Sequence, residues 1–180
     1  TLDMLKGELA ELRTGDPACL ATDVGPIITA EARDRIAGYV ETMRGRWHTL
    51  TQGALAPEAG LGSFMPPTII ELAGLDELGG EIFGPVLHVI RFRRAEMGRL
   101  VERINGLGYG LTFGLHTRLD ETVERVTDRI SVGNIYVNRN IIGAVVGVQP
   151  FGGHGLTGTG PKAGGPLYLR RLLAARQQAA

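Results

Sequence analysis

A chain of 180 residues, 43% of them hydrophobic, is long enough for one domain with a substantial core. Nineteen basic and nineteen acidic side chains cancel, which argues against nucleic acid or an acidic membrane as a partner of the whole surface; the single cysteine, Cys19, excludes an internal disulfide and points to a cytoplasmic protein. No stretch has the length of a transmembrane span, and the opening TLDMLKGELAELR reads as an amphipathic helix rather than a signal peptide.

In chain order, Leu2, Leu5, Leu9 and Leu12 recur three or four residues apart, so a helix is expected from the first residues, with little room for a cap, as in a chain cut from a longer one. Two prolines and several turn formers make residues 14–28 a loop. Thr29 is placed to cap a helix running to about Arg46, with Glu31 and Asp34 near its start and Arg44 and Arg46 at its end. A stretch rich in glycine and alanine follows from Gly53 to Gly62. Pro66 and Pro67 confine the next strand to Thr68–Leu72. VLHVIRF, Val86 to Phe92, reads as a buried strand and Glu96 to Asn105 as a helix. A strand from Leu111, a helix over Asp120 to Ile130 and a strand from Val132 complete the pattern. Strands separated by helices of about ten residues predict an α/β fold, a mostly parallel open sheet with flanking helices, in a single domain over 1–180.

The stretch GAVVGVQPFGGHGLTGTGPKAGGP, residues 143–166, holds nine glycines and a literal G-x-G-x-x-G at Gly153, Gly155 and Gly158. A dinucleotide fingerprint requires a helix after these glycines and an acidic residue roughly 20 positions on; no Asp or Glu follows Asp128. A Walker A loop fails as well, because Lys162 stands between Pro161 and Ala163. Two readings stay open: backbone amides presented to an anion, or a connector folded over the sheet edge. The last 52 residues carry only basic groups, which suits either an anionic small molecule or a solvated basic tail.

Cys19 has no neighbouring base in sequence to activate it, and His48, His88, His116 and His154 lack ligand spacing, so no catalytic nucleophile and no metal site are expected; His88 and His116 read as hydrogen-bonded strand residues. In EIFGPV, Glu81 and Phe83 offer a carboxylate for sugar hydroxyls and a flat surface for a ring, or else they are a surface Glu and a core Phe.

EIFGPVLHVIRF, GYGLTFGLHTR, VGNIYVNRNIIGAVVGVQPFGG and GTGPKAGGP together resemble the aldehyde dehydrogenase superfamily. Over essentially the whole chain they are similar to the glutamate-semialdehyde (pyrroline-5-carboxylate) dehydrogenase module of the bifunctional proline utilization A enzymes. EIFGPV marks only the superfamily, whereas IIGAVVGVQPFGGHGLTGTGPKAGGP marks the pyrroline-5-carboxylate branch. The resemblance implies the catalytic-domain portion of an NAD-dependent enzyme of proline catabolism that oxidises the semialdehyde to glutamate through a cysteine thiohemiacetal, hydride transfer and thioester hydrolysis. It implies that Glu81 holds the nicotinamide ribose, that Phe83 packs beside the nicotinamide, that Gly143 and Ala144 offer amides to the substrate α-carboxylate, and that Phe151 walls the aliphatic stem. It places the nucleophile, the general base, the oxyanion asparagine and the adenine half of the NAD site in sequence preceding Thr1, and FAD only in a separate proline dehydrogenase domain. No catalytic residue is expected in this chain, which by itself should be inactive. A homo-oligomer is implied. Thr157 stands where many relatives carry serine, which keeps the hydroxyl. The rival readings are a non-catalytic assembly domain of the same type and an enzyme for another acidic aldehyde.

Overall fold

In the computed structural model, which describes residues 1–46, 49–57, 60, 62–145, 147–158 and 160–178, internal contacts cluster into two compact units, Thr1–Arg91 and Phe92–Ala180. The sequence predicts one domain over 1–180; each unit has a core of its own.

In the first unit, the leucine spacing is realised as α1, Leu2–Glu11, which buries Leu9. Helix α2, Ala30–Gly45, begins where Thr29 Oγ1 accepts the Ala32 N–H at 3.1 Å. This is the cap expected from the sequence, and it satisfies one of the free donors at the helix start. Ala32, Ile36, Val40 and Met43 form its buried stripe at helical spacing. Three strands follow, β1 (Thr49–Gln52), β2 (Thr68–Leu72) and β3 (Val86–Ile90), ordered β1-β2-β3. Strand β2 is central and nearly all buried; it pairs antiparallel with β1, Thr49 opposite Glu71, and parallel with β3, Thr68 opposite Val86. Helix α1 is moored to β2 by Lys6 Nζ to Glu71 Oε1 at 3.0 Å, and Arg91 Nη2 meets Oε2 at 3.1 Å. The hydrogen bond from Lys6, with help from Arg91, holds the Glu71 carboxyl below the usual carboxylate range.

Two expectations change here. Strand β1 is absent from the sequence reading, because four residues after a helix carry too little alternation to register. VLHVIRF is not a buried strand: its pairing ends at Ile90 and Leu87 is 46% exposed, because β3 is the last strand of its sheet.

The second unit comprises α3 (Met97–Gly106), β4 (Tyr109–Gly110), β5 (Thr112–Leu115), α4 (Asp120–Thr127), β6 (Asn134–Val137), β7 (His154–Gly155) and α5 (Tyr168–Gln178). Strands β5 and β6 are parallel, Thr112 opposite Asn134 and Leu115 opposite Val137, with α4 as the crossover, as the α/β class requires. Val101, Leu115, Val126 and Ile130 form the core. The regular helix α4 stops at Thr127, short of Ile130, although Ile130 still donates its N–H to Val126 O. The short antiparallel ribbon β4–β7 and the helix α5 are further elements that the sequence does not announce.

Candidate functional site

The first unit carries Glu81 and Phe83 on the loop that leads into β3. Gly84 N–H donates to Ile82 O at 2.9 Å, Val86 N–H to Gly84 O at 2.8 Å, and Thr68 N–H to Pro85 O at 2.8 Å, which ties the loop to the start of β2. Ile82 packs against the core containing Ile36 of α2. A Cβ on Gly84 would lie 2.5 Å from Ile36 Cδ1, so a larger residue here would require the Ile36 side chain to shift. With Ile82 drawn inward, Glu81 and Phe83 on either side of it are exposed. Phe83 is 80% exposed and takes no part in the core of this unit.

An open pocket of about 380 Å³ adjoins this loop, lined by Ile28, Ala32, Arg35, Ile36, Glu81, Ile82 and Phe83. It combines a carboxylate, a guanidinium and an aromatic face beside an aliphatic wall. Arg35 is absent from the sequence reading. Its only local signal is a charge next to the apolar stripe of α2, which does not reveal that the helix runs beside Glu81. In the same unit, Tyr39 and His88 meet at 2.7 Å between Oη and Nε2, joining α2 to β3; burial lowers the His88 pKa, and this histidine is the hydrogen-bonded strand residue expected.

The second unit carries the glycine loop. Gly143 and Ala144 are half-buried, and among the described residues their amides meet no acceptor. Phe151 is fixed by a two-way bridge to Ala163, each N–H donating to the other's carbonyl at 2.9 Å. The G-x-G-x-x-G triplet has another role. A Cβ on Gly153 would meet Thr157 O at 2.7 Å and Gly110 O at 2.9 Å, and one on Gly155 or Gly158 would run into the carbonyl of Gly108 or Gly153. The amides there are spent inside the fold: Leu156 N–H on Gly108 O, Thr157 N–H on His154 O and Gly158 N–H on Gly155 O. Thr157 Oγ1 accepts the Gly110 N–H at 2.9 Å. The triplet therefore packs a turn onto β4, and the connector reading holds for this half of the loop only.

Cys19 is exposed on a turn held by Asp16, and no hydrogen bond or ion pair engages its thiol among the described residues. His116 lies just past β5 and is exposed, not a strand residue; His48 lies outside the described residues. Among the described residues no group of three His, Cys, Asp or Glu is placed to hold a metal ion, and no helix is long and apolar enough to cross a membrane. The expected residues thus fall into two sets: Glu81 and Phe83 share one pocket, and Gly143, Ala144 and Phe151 share one loop.

Residues 1–177 match the aldehyde dehydrogenase family. The chain is 57% identical over 183 residues to the bifunctional protein PutA of Klebsiella aerogenes, covering 99% of this chain and 14% of that protein. It is 37% identical over 164 residues to the 1-pyrroline-5-carboxylate dehydrogenase of Geobacillus sp. (strain WCH70), covering 88% of this chain and 30% of that one. A crystal structure of a mutant proline utilization A from Bradyrhizobium japonicum superposes with a TM-score of 0.88 at 49% identity, over 94% of this chain and 17% of its own. A putative aldehyde dehydrogenase from Burkholderia cenocepacia superposes with a TM-score of 0.81 at 28% identity, over 91% of this chain and 34% of its own.

Proposed function

Given that the chain belongs to the aldehyde dehydrogenase family, we propose that it forms part of a glutamate-semialdehyde (1-pyrroline-5-carboxylate) dehydrogenase of proline catabolism that oxidises the semialdehyde to glutamate with NAD. The observation that carries this reading is the pair of amides at Gly143 and Ala144, in half-buried residues and without an acceptor among the described residues. Amides with no partner inside the fold are free to donate to a ligand in place of water, and two adjacent ones suit the two oxygens of a carboxylate. Phe151 follows on the same loop as an apolar wall for the aliphatic stem, and no acidic side chain follows Asp128 to repel the anion.

The pocket in the first unit fits the nicotinamide end of the cofactor: Glu81 accepts hydrogen bonds from ribose hydroxyls, Phe83 covers the ring, and Arg35 adds a cation to the same pocket. The bound dinucleotide supplies the hydride acceptor. This chain contributes grip and orientation, while the nucleophile, general base and adenine half-site belong to other parts of the full-length protein. A cytoplasmic location and a homo-oligomeric state accompany the reading.

The test is Ala144→Asp in the full-length protein, at a position that already carries a side chain without a positive φ. A carboxylate set among the anchor amides repels the substrate carboxylate, so the KM for glutamate semialdehyde should rise while the KM for an uncharged aldehyde stays unchanged. Equal effects on both, or none, would assign the protein to a different aldehyde.

A further inference from the structure

We infer that Asn134 and Asn138 are positioning residues, two ends of a clamp by which β6 and the residue directly after it set the geometry of the loop carrying Gly143, Ala144 and Phe151. The inference rests on the reading of that loop as the substrate anchor. In N-I-Y-V-N, Asn134 and Tyr136 alternate along β6 and so project from one face, while Asn138 follows directly after the strand. All three side chains are engaged. Asn134 Nδ2 donates to Pro150 O at 2.9 Å, and its Oδ1 accepts the Gly152 N–H at 3.2 Å. One carboxamide thus grips the main chain on both sides of Phe151. Tyr136 Oη accepts from Gln149 Nε2 at 3.1 Å, one residue before Pro150.

Asn138 governs the departure of the loop. Its φ of 55° is in the left-handed region, which asparagine tolerates better than other residues with a side chain. Its Oδ1 accepts the Thr117 N–H and its Nδ2 donates to Thr117 O, both at 2.9 Å. The chain therefore leaves β6 in a fixed direction, set against the end of β5. Between these anchor points the loop has little to hold it. Its internal backbone bonds among the described residues are Val148 N–H and Gln149 N–H to Val145 O. A segment with so few bonds of its own takes its geometry from its ends, and its binding amides stay ordered only while those ends are fixed.

The carboxamide is the required group because each asparagine uses one donor and one acceptor at once. Aspartate keeps the acceptor and loses the donor; alanine loses both. Neither asparagine is in the set expected to touch substrate or cofactor, so their loss should act on substrate binding through the loop.

The experiment uses the full-length protein with Asn134→Ala, Asn134→Asp and Asn138→Gly, the last keeping the left-handed backbone while removing both hydrogen bonds. Two readouts are taken: amide hydrogen exchange over residues 139–152, and KM and kcat for glutamate semialdehyde and NAD. Expected are faster exchange across the loop in all three variants and, for Asn134→Ala, a rise of about tenfold in the semialdehyde KM, with the NAD KM and kcat within about twofold. Asn134→Asp should fall between wild type and alanine in exchange. Unchanged exchange in the loop overturns the clamp, as does a semialdehyde KM that stays at the wild-type value or rises only in step with the NAD KM. If wild-type protein does not oxidise the semialdehyde, the anchor reading fails by itself, and the exchange measurement still decides whether the two asparagines order the loop.

Discussion

Gly133→Ala is the substitution whose consequence follows most directly from the structure. Gly133 is buried at the entry to β6; its N–H donates to Gly110 O at 2.9 Å and its carbonyl accepts from Lys162 Nζ. A Cβ there would sit on Gly152 O, with Gly152 C at 2.7 Å and Gly153 Cα at 2.9 Å. These neighbours are all main chain, so no rotamer change relieves them. Carbon atoms pack at about 3.5–4.0 Å, so Gly152 and Gly153 must withdraw by roughly 1 Å. Overpacking of this kind costs about 1–3 kcal/mol. The displaced segment adjoins Phe151, and a misplacement of about 1 Å near the reacting geometry can lower catalytic efficiency by roughly 100-fold. The assay is kcat/KM for glutamate semialdehyde and thermal unfolding of the full-length variant, with Gly38→Ala as control. A Cβ on Gly38, on helix α2, meets nothing within 4 Å, so that variant should gain about 0.5–1 kcal/mol and keep its activity. A Gly133→Ala protein within twofold of wild-type efficiency would refute the reasoning.

Glu81→Gln removes the charge proposed to face the ribose; losing charge-assisted hydrogen bonds worth about 1.5–3 kcal/mol should raise the NAD KM by roughly 10- to 100-fold with the semialdehyde KM little changed, and an unchanged NAD KM in steady-state kinetics would contradict it. His88, held neutral by burial and paired with Tyr39, has a folded-state pKa below its unfolded one, so the folded state binds fewer protons. Its contribution to stability is complete above the unfolded value of about 6.5 and falls away as pH drops toward the lowered one. Urea unfolding between pH 7.5 and 5.5 should show that loss, and His88→Gln should flatten it; an unchanged slope would contradict the assignment. The 180-residue chain on its own should produce no NADH from the semialdehyde and should self-associate through the apolar groove lined by Leu5, Leu9, Val86 and Leu87 and through the exposed leucines of α5. Sedimentation as a monodisperse monomer, or measurable turnover, would argue against this.

Where a residue's type and its place in a period decide its fate, the sequence is readable. Leu9 of α1, the stripe from Ala32 to Met43, the cap at Thr29 and the prolines ahead of β2 all do in the structure what their chemistry requires. Elements of two to four residues, such as β1 and β4–β7, escape because the partner that makes them strands is far along the chain. VLHVIRF misleads for a related reason: a run of apolar residues fits a buried strand and an edge strand equally well until the sheet order is known.

The site divides along the same line. Glu81 and Phe83 carry side chains whose chemistry suggests a role, yet their composition alone favours a surface carboxylate and a core aromatic; within this chain Phe83 is 80% exposed and belongs to neither core cluster. Arg35 and Asn134 are ordinary residues of a helix and a strand until tertiary packing brings one beside Glu81 and sets the other across the main chain on either side of Phe151. The anchor is harder still, because its donors are backbone amides, which every residue except proline possesses. Glycine spacing draws the eye to Gly153, Gly155 and Gly158, but spacing cannot tell a glycine that exposes its amide from one that lets two backbones touch. That distinction lies in where the hydrogen bonds go: the amides of Leu156, Thr157 and Gly158 are consumed inside the fold, whereas those of Gly143 and Ala144 meet no acceptor among the described residues.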